Sequence, residues 1–325
     1  MKNFEYIYPK DAETIPALLS AKEGESLLYA GGTDVLARLK EGLEKPEQLI
    51  NLKAVEQLQY IRRDDKGLYI GAGTFLADLI DNQDAQKYPG LIEAAESIGT
   101  IQLRNMGTVG GNLCQRPRCW YFRSRHFKCL RKHGDTCFAI FGENKYHAIL
   151  GGDPCYIVHP SDLAPMLMAL DARVTILGPQ GNRRIALEEL YVLPEQDPYH
   201  ETVLKPQEVL TEVFIPAASA TLKSHYIKFR ERKSIDFAMV SVAIAASVNG
   251  KQLSNVRVVL GGVAPKPWRA RQSEKVLEGS EVTDPLLEAA GKAEMKNAQP
   301  LEQNEYKVIL SKNLIKRAVR ELLSA

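Results

Sequence analysis

The chain has 325 residues, 45% of them hydrophobic and 25% charged, with 42 Lys plus Arg against 40 Asp plus Glu and a formal net charge of +2. These are globular proportions with room for two or three domains, and they exclude disordered, collagenous and solenoid readings. So balanced a charge argues against nucleic acid as a partner, and without an apolar run of about 18 residues or an apolar stretch behind the start neither a membrane span nor a secretory signal is expected.

In chain order, the pattern predicts a strand at 4–8, a helix over 11–21, a strand at 26–30 and a helix over 33–40. Ile15, Ala17, Leu18 and Leu19 give the first helix its apolar face, and Pro9 with Asp11 marks its start. Strands at 48–52 and 68–70 and helices near 76–82 and 91–98 follow. From Cys114 to Cys155 periodicity fails in an Arg-rich stretch, read as an insertion loop. A helix capped by Ser161 or Asp162 resumes regular structure, followed by the strand 174–177 and a Gly178–Gly181 turn. The polar segment 189–206, with three prolines, reads as a linker. Strands at 209–215, 226–231, 240–248 and 256–260 precede two helices, the last over 306–323 with Val308, Ile315, Val319 and Leu322 on one face. The expected domains are 1–188, carrying the insertion 114–155, and 189–325.

Two glycine-bearing stretches could hold phosphate. In the first, an apolar strand enters Gly31-Gly32 and then a helix whose first turn contains Thr33 and Asp34; glycines let a backbone approach an anion, and free N–H groups donate to it. Plain turn geometry, with Asp34 as a helix cap, is the competing reading. The second, Arg104 to Leu113, places Thr108 and Asn112 among glycines and suits a dinucleotide, with a β-turn as its alternative. No GxGxxG follows a strand, which disfavours a Rossmann nicotinamide site.

All five cysteines, Cys114, Cys119, Cys129, Cys137 and Cys155, lie within 42 residues, where even scatter would place fewer than one. An odd number without a secretory signal argues against a disulfide framework and for a metal or metal cluster in a reducing compartment, so the cytoplasm is the expected location unless a partner's signal exports the complex. The spacings of 9, 7 and 17 residues from Cys119 onward lack CxxC knuckles. Four thiolates on a long loop could enclose an iron–sulfur cluster, while zinc, with His126 or His133 replacing a cysteine, stays open. Seven basic residues between Arg116 and Lys132 would lower thiolate pKa values, or serve an RNA-contacting loop. His147 and His159 read as hydrogen-bonding residues rather than catalytic bases.

Five ordered motifs, Ala30-Gly-Gly-Thr-Asp34, Gln102 to Asn112, His159-Pro-Ser-Asp162, Lys228 to Asp236 and Gly261 to Ala270, resemble the FAD-binding medium subunit of molybdenum hydroxylases, related to the flavin part of xanthine dehydrogenase and carbon monoxide dehydrogenase. The resemblance implies an α+β fold, a two-part FAD-binding domain of the vanillyl-alcohol oxidase type followed by a smaller C-terminal α+β domain. It implies FAD contacts from Leu27, Leu28, Tyr29, Ala30, Gly31, Gly32, Thr33, Asp34 and Val35, from Thr108, Gly110, Gly111 and Asn112, from Ile157, His159, Ser161 and Asp162, and from Lys228. It also implies an electron-transfer role beside a molybdenum-cofactor large subunit and a [2Fe–2S] small subunit, with ferredoxin or another carrier as external partner. The insertion resembles that of a subgroup, the medium subunits of 4-hydroxybenzoyl-CoA reductase and a bacterial aldehyde oxidoreductase, in which Cys119, Cys129, Cys137 and Cys155 would hold a [4Fe–4S] cluster and Cys114 would be the spare. Its spacing is nearer the aldehyde oxidoreductase type.

Overall fold

The computed structural model describes residues 2–22 and 24–324. Twelve strands among the described residues form three sheets. The first sheet takes β1 (Glu5–Ile7), β2 (Ser26–Tyr29) and β3 (Gln48–Asn51), all parallel in the order β1-β3-β2, with helices Ile15–Ala21 and Val35–Lys40 as crossovers. The second takes β4 (Ile61–Arg63), β5 (Gly67–Gly71), β6 (Arg173–Gly178), β7 (Gly181–Ala186) and β8 (Val209–Pro216), antiparallel in the order β4-β5-β8-β6-β7. The third takes β9 (Lys223–Phe229), β10 (Val240–Asn249), β11 (Gln252–Gly261) and β12 (Trp268–Arg269), antiparallel in the order β12-β11-β10-β9.

The third sheet separates two cores because successive side chains of a strand face opposite ways. Val242, Ile244, Val258 and Leu260 pack with Ile315, Val319 and Leu322 of the terminal helix Tyr306–Ser324. Ala243, Ala245 and Val259 join the core of the FAD-type unit, which includes helix Leu163–Ala169. The small alanines let that helix lie close on the sheet, which fixes the segment preceding it, Pro160 to Asp162, at the junction of the two units.

Two sequence expectations are corrected here. Strand β8, expected in the C-terminal unit, lies between β5 and β6 in the second sheet, so the chain leaves the N-terminal unit after residue 216, not at 188. The segment 189–206 is a surface excursion within that unit, since its ends rejoin the same sheet. The insertion is not featureless either: helical turns occur at Trp120–Arg123, Leu130–Lys132 and Phe138–Ile140, too short to create a periodic apolar face. On the terminal helix, the first buried residue is Lys307, not Val308.

Candidate functional site

Strand β2 delivers the chain into Ala30–Asp34, and the turn after helix Ile101–Met106 lies against it. A Cβ on Gly31 would stand 2.0 Å from the Met106 carbonyl oxygen, so only glycine permits this approach. Gly32 has φ +75°, a left-handed conformation that favours glycine for a second reason. Thr108 caps the next short helix by accepting the Gly111 N–H (3.1 Å), and a Cβ on Gly110 would press on Ala72 at 2.8 Å. Asn112 accepts from the Ser161 hydroxyl (2.6 Å), which itself accepts the Ala164 N–H (2.9 Å). One hydrogen-bonded chain thus joins the second glycine loop to the start of helix Leu163–Ala169.

Between these loops lies an open cavity of about 600 Å³, a size typical of cofactor sites. Leu27, Leu28, Ala30, Gly31, Gly32, Thr33, Asp34 and Val35 line it, as do Thr108, Gly110, Gly111, Asn112, Asp162 and Lys228. Lys228, its side chain 4% exposed, donates to Asp162 Oδ2 (2.7 Å) and to the Ser97 carbonyl (3.1 Å), while the Tyr226 hydroxyl donates to Asp162 Oδ1 (2.7 Å). The pair therefore presents a positioned lysine whose charge is already balanced. Four expected residues lie off this cavity. Tyr29 packs edge-on against Tyr6, Ile157 lines the cysteine cavity described below, and His159 and Ser161 line a separate cavity of about 380 Å³ beside it. The sequence reading missed His200, Glu201 and Thr202, which also line this cavity and whose only signal was a proline-bearing segment too long for a simple connection; Arg116 and Arg118 line it too, although the sequence placed them only in the basic insertion.

Asp34 does not cap its helix. Burial alone would raise its pKa, but Arg118, Arg38 and Arg123 outweigh burial and hold it below the usual carboxylate range. Glu201 behaves alike: burial is outweighed by Arg116 and Arg131, and its pKa is lowered. Four of the insertion's arginines are thus held by carboxylates, which corrects the view of them as free charge for thiolates or RNA.

Cys119, Cys129, Cys137 and Cys155 all line one small cavity with Tyr121, Phe122, Arg131, Phe138 and His147. Cys114 lies apart, in the wall of the flavin-sized cavity, where burial foremost and then Glu201 push its thiol up to about 12. Burial pushes Cys119 up to about 11, and the Cys119 Sγ is 3.3 Å from His147 Nε2. Interaction between Cys137 and Cys155 divides that pair: it holds Cys137 below the ordinary thiol range and, together with burial, raises Cys155. Among the described residues no three His, Cys, Asp or Glu side chains converge closely enough for a single metal ion. His126 and His133 are exposed, away from the sulfurs.

The C-terminal unit braces this cavity from behind. Lys307 is fully buried and donates to the carbonyls of Tyr146 (2.9 Å), His147 (3.0 Å) and Gly262 (2.7 Å), while Asn304 donates to those of His147 (3.1 Å) and Ala148 (3.2 Å). No helix among the described residues is long and apolar enough to cross a membrane.

The chain belongs to the family of FAD-binding domains in molybdopterin dehydrogenases, matched over residues 2–218, with a CO dehydrogenase flavoprotein C-terminal domain over 225–322. It is therefore an FAD-binding oxidoreductase subunit of the molybdenum hydroxylase family. It is 34% identical over 322 residues to the aldehyde oxidoreductase FAD-binding subunit PaoB of Escherichia coli (strain K12), covering 97% of this chain and 98% of that one. It is 28% identical to the carbon monoxide dehydrogenase medium chain of Hydrogenophaga pseudoflava, covering 97% and 96%. A solved structure of carbon monoxide dehydrogenase from that organism superposes with TM-score 0.79 at 27% identity, covering 99% of this chain and 98% of that one. The α+β architecture expected from the sequence is the one found.

FAD suits the glycine-lined cavity on the structure's own terms: two backbone loops at which a Cβ would collide, a volume of about 600 Å³, and arginines on its wall.

Proposed function

We propose that this chain is the electron-transferring flavoprotein subunit of a heteromeric molybdenum-containing oxidoreductase, of the aldehyde oxidoreductase type. Substrate is oxidised on a large molybdenum-cofactor subunit, a small [2Fe–2S] subunit relays the electrons, and this chain passes them to an external acceptor such as ferredoxin. When bound, FAD supplies the exchange between two-electron and one-electron chemistry. The chain's own residues bind and orient it: the Gly31-Gly32 turn offers N–H donors to the diphosphate, the Thr108–Asn112 loop, whose N–H groups from Val109 to Asn112 are taken by Thr74, Ala72 and Thr108, offers close backbone approach, and Lys228, fixed by Asp162, presents an N–H to the cavity.

In the same reading, Cys119, Cys129, Cys137 and Cys155 hold a [4Fe–4S] cluster. The observation that carries this is the gathering of these four cysteines, and no carboxylate, around one small cavity. As protonated thiols they leave about 10 Å³ between them, room for about one water, so loading requires their deprotonation and separation. A cluster spreads its iron atoms, so its ligands need not converge as they must on one ion. Free thiols throughout suit a cytoplasmic site of action.

Affinity capture of the tagged chain from its own cells tests the reading. Recovery with a molybdenum-bearing large chain and a [2Fe–2S] small chain, in material with flavin bands over broad iron–sulfur absorption, is expected. A lone chain that turns over substrate by itself would overturn it.

A further inference from the structure

The insertion is bolted to the flavin loop through one half-buried carboxylate, Asp34. Arg118, the residue before Cys119, places Nη1 2.7 Å from Asp34 Oδ1, and Arg123 places Nη2 2.6 Å from the same atom. The Arg116 N–H donates to Asp34 Oδ2 (3.1 Å), and Arg38 Nε lies 3.4 Å from that oxygen. Arg123 also ties the insertion to itself, donating to the carbonyls of Pro117 (2.7 Å) and Arg116 (3.0 Å). A second bolt sits at Glu201, also in the cavity wall, which takes Arg116 Nε at 3.2 Å and Arg131 Nη2 at 2.5 Å. Arg131 is 1% exposed at its side chain and lines the cysteine cavity. Glu44 completes the group, pairing with Arg38 and with Arg116 (3.5 Å).

The charges do not balance. Arg38, Arg116, Arg118, Arg123 and Arg131 supply five guanidiniums against the three carboxylates Asp34, Glu44 and Glu201, which leaves two positive charges in excess. Arg116, Arg118 and Asp34 face the cavity that the glycine loops open, and each of the two bridging phosphates of a flavin dinucleotide carries one negative charge. Partly buried like charges repel strongly unless compensated.

We propose that the FAD diphosphate is the missing counter-charge of this arginine network, so that flavin binding locks the cysteine insertion and closure of the insertion tightens flavin binding by the same factor. The reciprocity is a thermodynamic necessity of linked sites. Arg123, which does not line the flavin cavity, is a positioning residue in this scheme: it acts on flavin through Asp34 and through the Arg116 backbone it holds. The proposal rests on the FAD site but not on the cluster.

Amide hydrogen exchange of the full chain, stripped of FAD and then given FAD, tests it. FAD is expected to slow exchange across 116–132 by about tenfold, within the usual range of site-to-site coupling. In Arg123→Gln that slowing should fall below about threefold while FAD still binds, and Arg123→Lys, which keeps the charge but not the fork, should recover part of it. Inorganic pyrophosphate alone should reproduce part of the wild-type effect. Flavin binding that leaves 116–132 unprotected in the wild type, or protection undiminished in Arg123→Gln, overturns the proposal; should Arg123→Gln not fold, undiminished protection in Arg123→Lys and Asp34→Asn together does so. Iron measured on the same samples separates this outcome from the cluster reading: protection without iron sinks the cluster alone, and iron without protection sinks the coupling alone.

Discussion

The flavin cavity and the cysteine cavity lie on either side of Arg118 and Cys119, yet they are built from different materials. The first is walled largely by backbone: Gly31, Gly32, Gly110 and Gly111 remove side chains, and neighbouring loops press against the vacated positions. The second is walled by side chains, four thiols and a ring of aromatics, held in place by ion pairs to Asp34 and Glu201 and by the buried Lys307. A backbone cavity stands ready without its ligand. A side-chain cavity depends on what holds its residues, so the two should fail in different ways.

Blocking the backbone cavity gives the largest expected effect. Gly31→Ala places a methyl into the Met106 carbonyl, and an overpacking cost of about 3 kcal/mol corresponds to roughly 100-fold weaker FAD binding, read by flavin fluorescence. Lys307→Met should leave the carbonyls of Tyr146 and Gly262 without their donor, and that of His147 with Asn304 alone, and lower stability by about 3 kcal/mol, seen in chemical denaturation, with 144–148 exchanging faster. Cys129→Ser should lower iron content while FAD stays bound, and Cys114→Ser should leave iron content unchanged, since Cys114 stands outside the sulfur cavity. Unchanged iron in Cys129→Ser would count against that ligand assignment.

Acid gives the smallest effect, and in the link between the two cavities it acts on the bolts. Asp34 and Glu201 have folded pKa values below their ordinary 3.8 and 4.5. The unfolded chain therefore takes up protons first as pH falls, so their contribution is complete above about pH 4.5 and is lost as pH drops through the lowered folded values. The stability difference between wild type and Glu201→Gln should shrink below that pH, whereas a difference that grows on acidification would reverse the sign.

Much of the flavin site was legible because its requirements are local. A strand that ends in Gly31-Gly32, and Thr108 among glycines, announce backbone approach without any long-range knowledge. The cysteine cluster was legible only as a local excess; that Cys119 and Cys155 face one cavity depends on the path of the intervening loop, which has no period to read. Strand β8 was seen as a strand but placed in the wrong unit, because pairing with β5 and β6 is invisible to local pattern. Asp34 looked like a cap since its partners, Arg118 and Arg123, lie more than eighty residues away. Lys307 was passed over for Val308, because a lysine that finds three carbonyls inside a protein breaks the apolar rule from which a helix face is inferred.

The central claim, a flavin and a four-iron cluster in one chain, is tested most directly by iron, acid-labile sulfide and FAD assayed together on the full chain purified without oxygen. About four irons and four sulfides per flavin are expected. Stoichiometric FAD in iron-free protein that also fails to take up iron and sulfide on anaerobic reconstitution would contradict it.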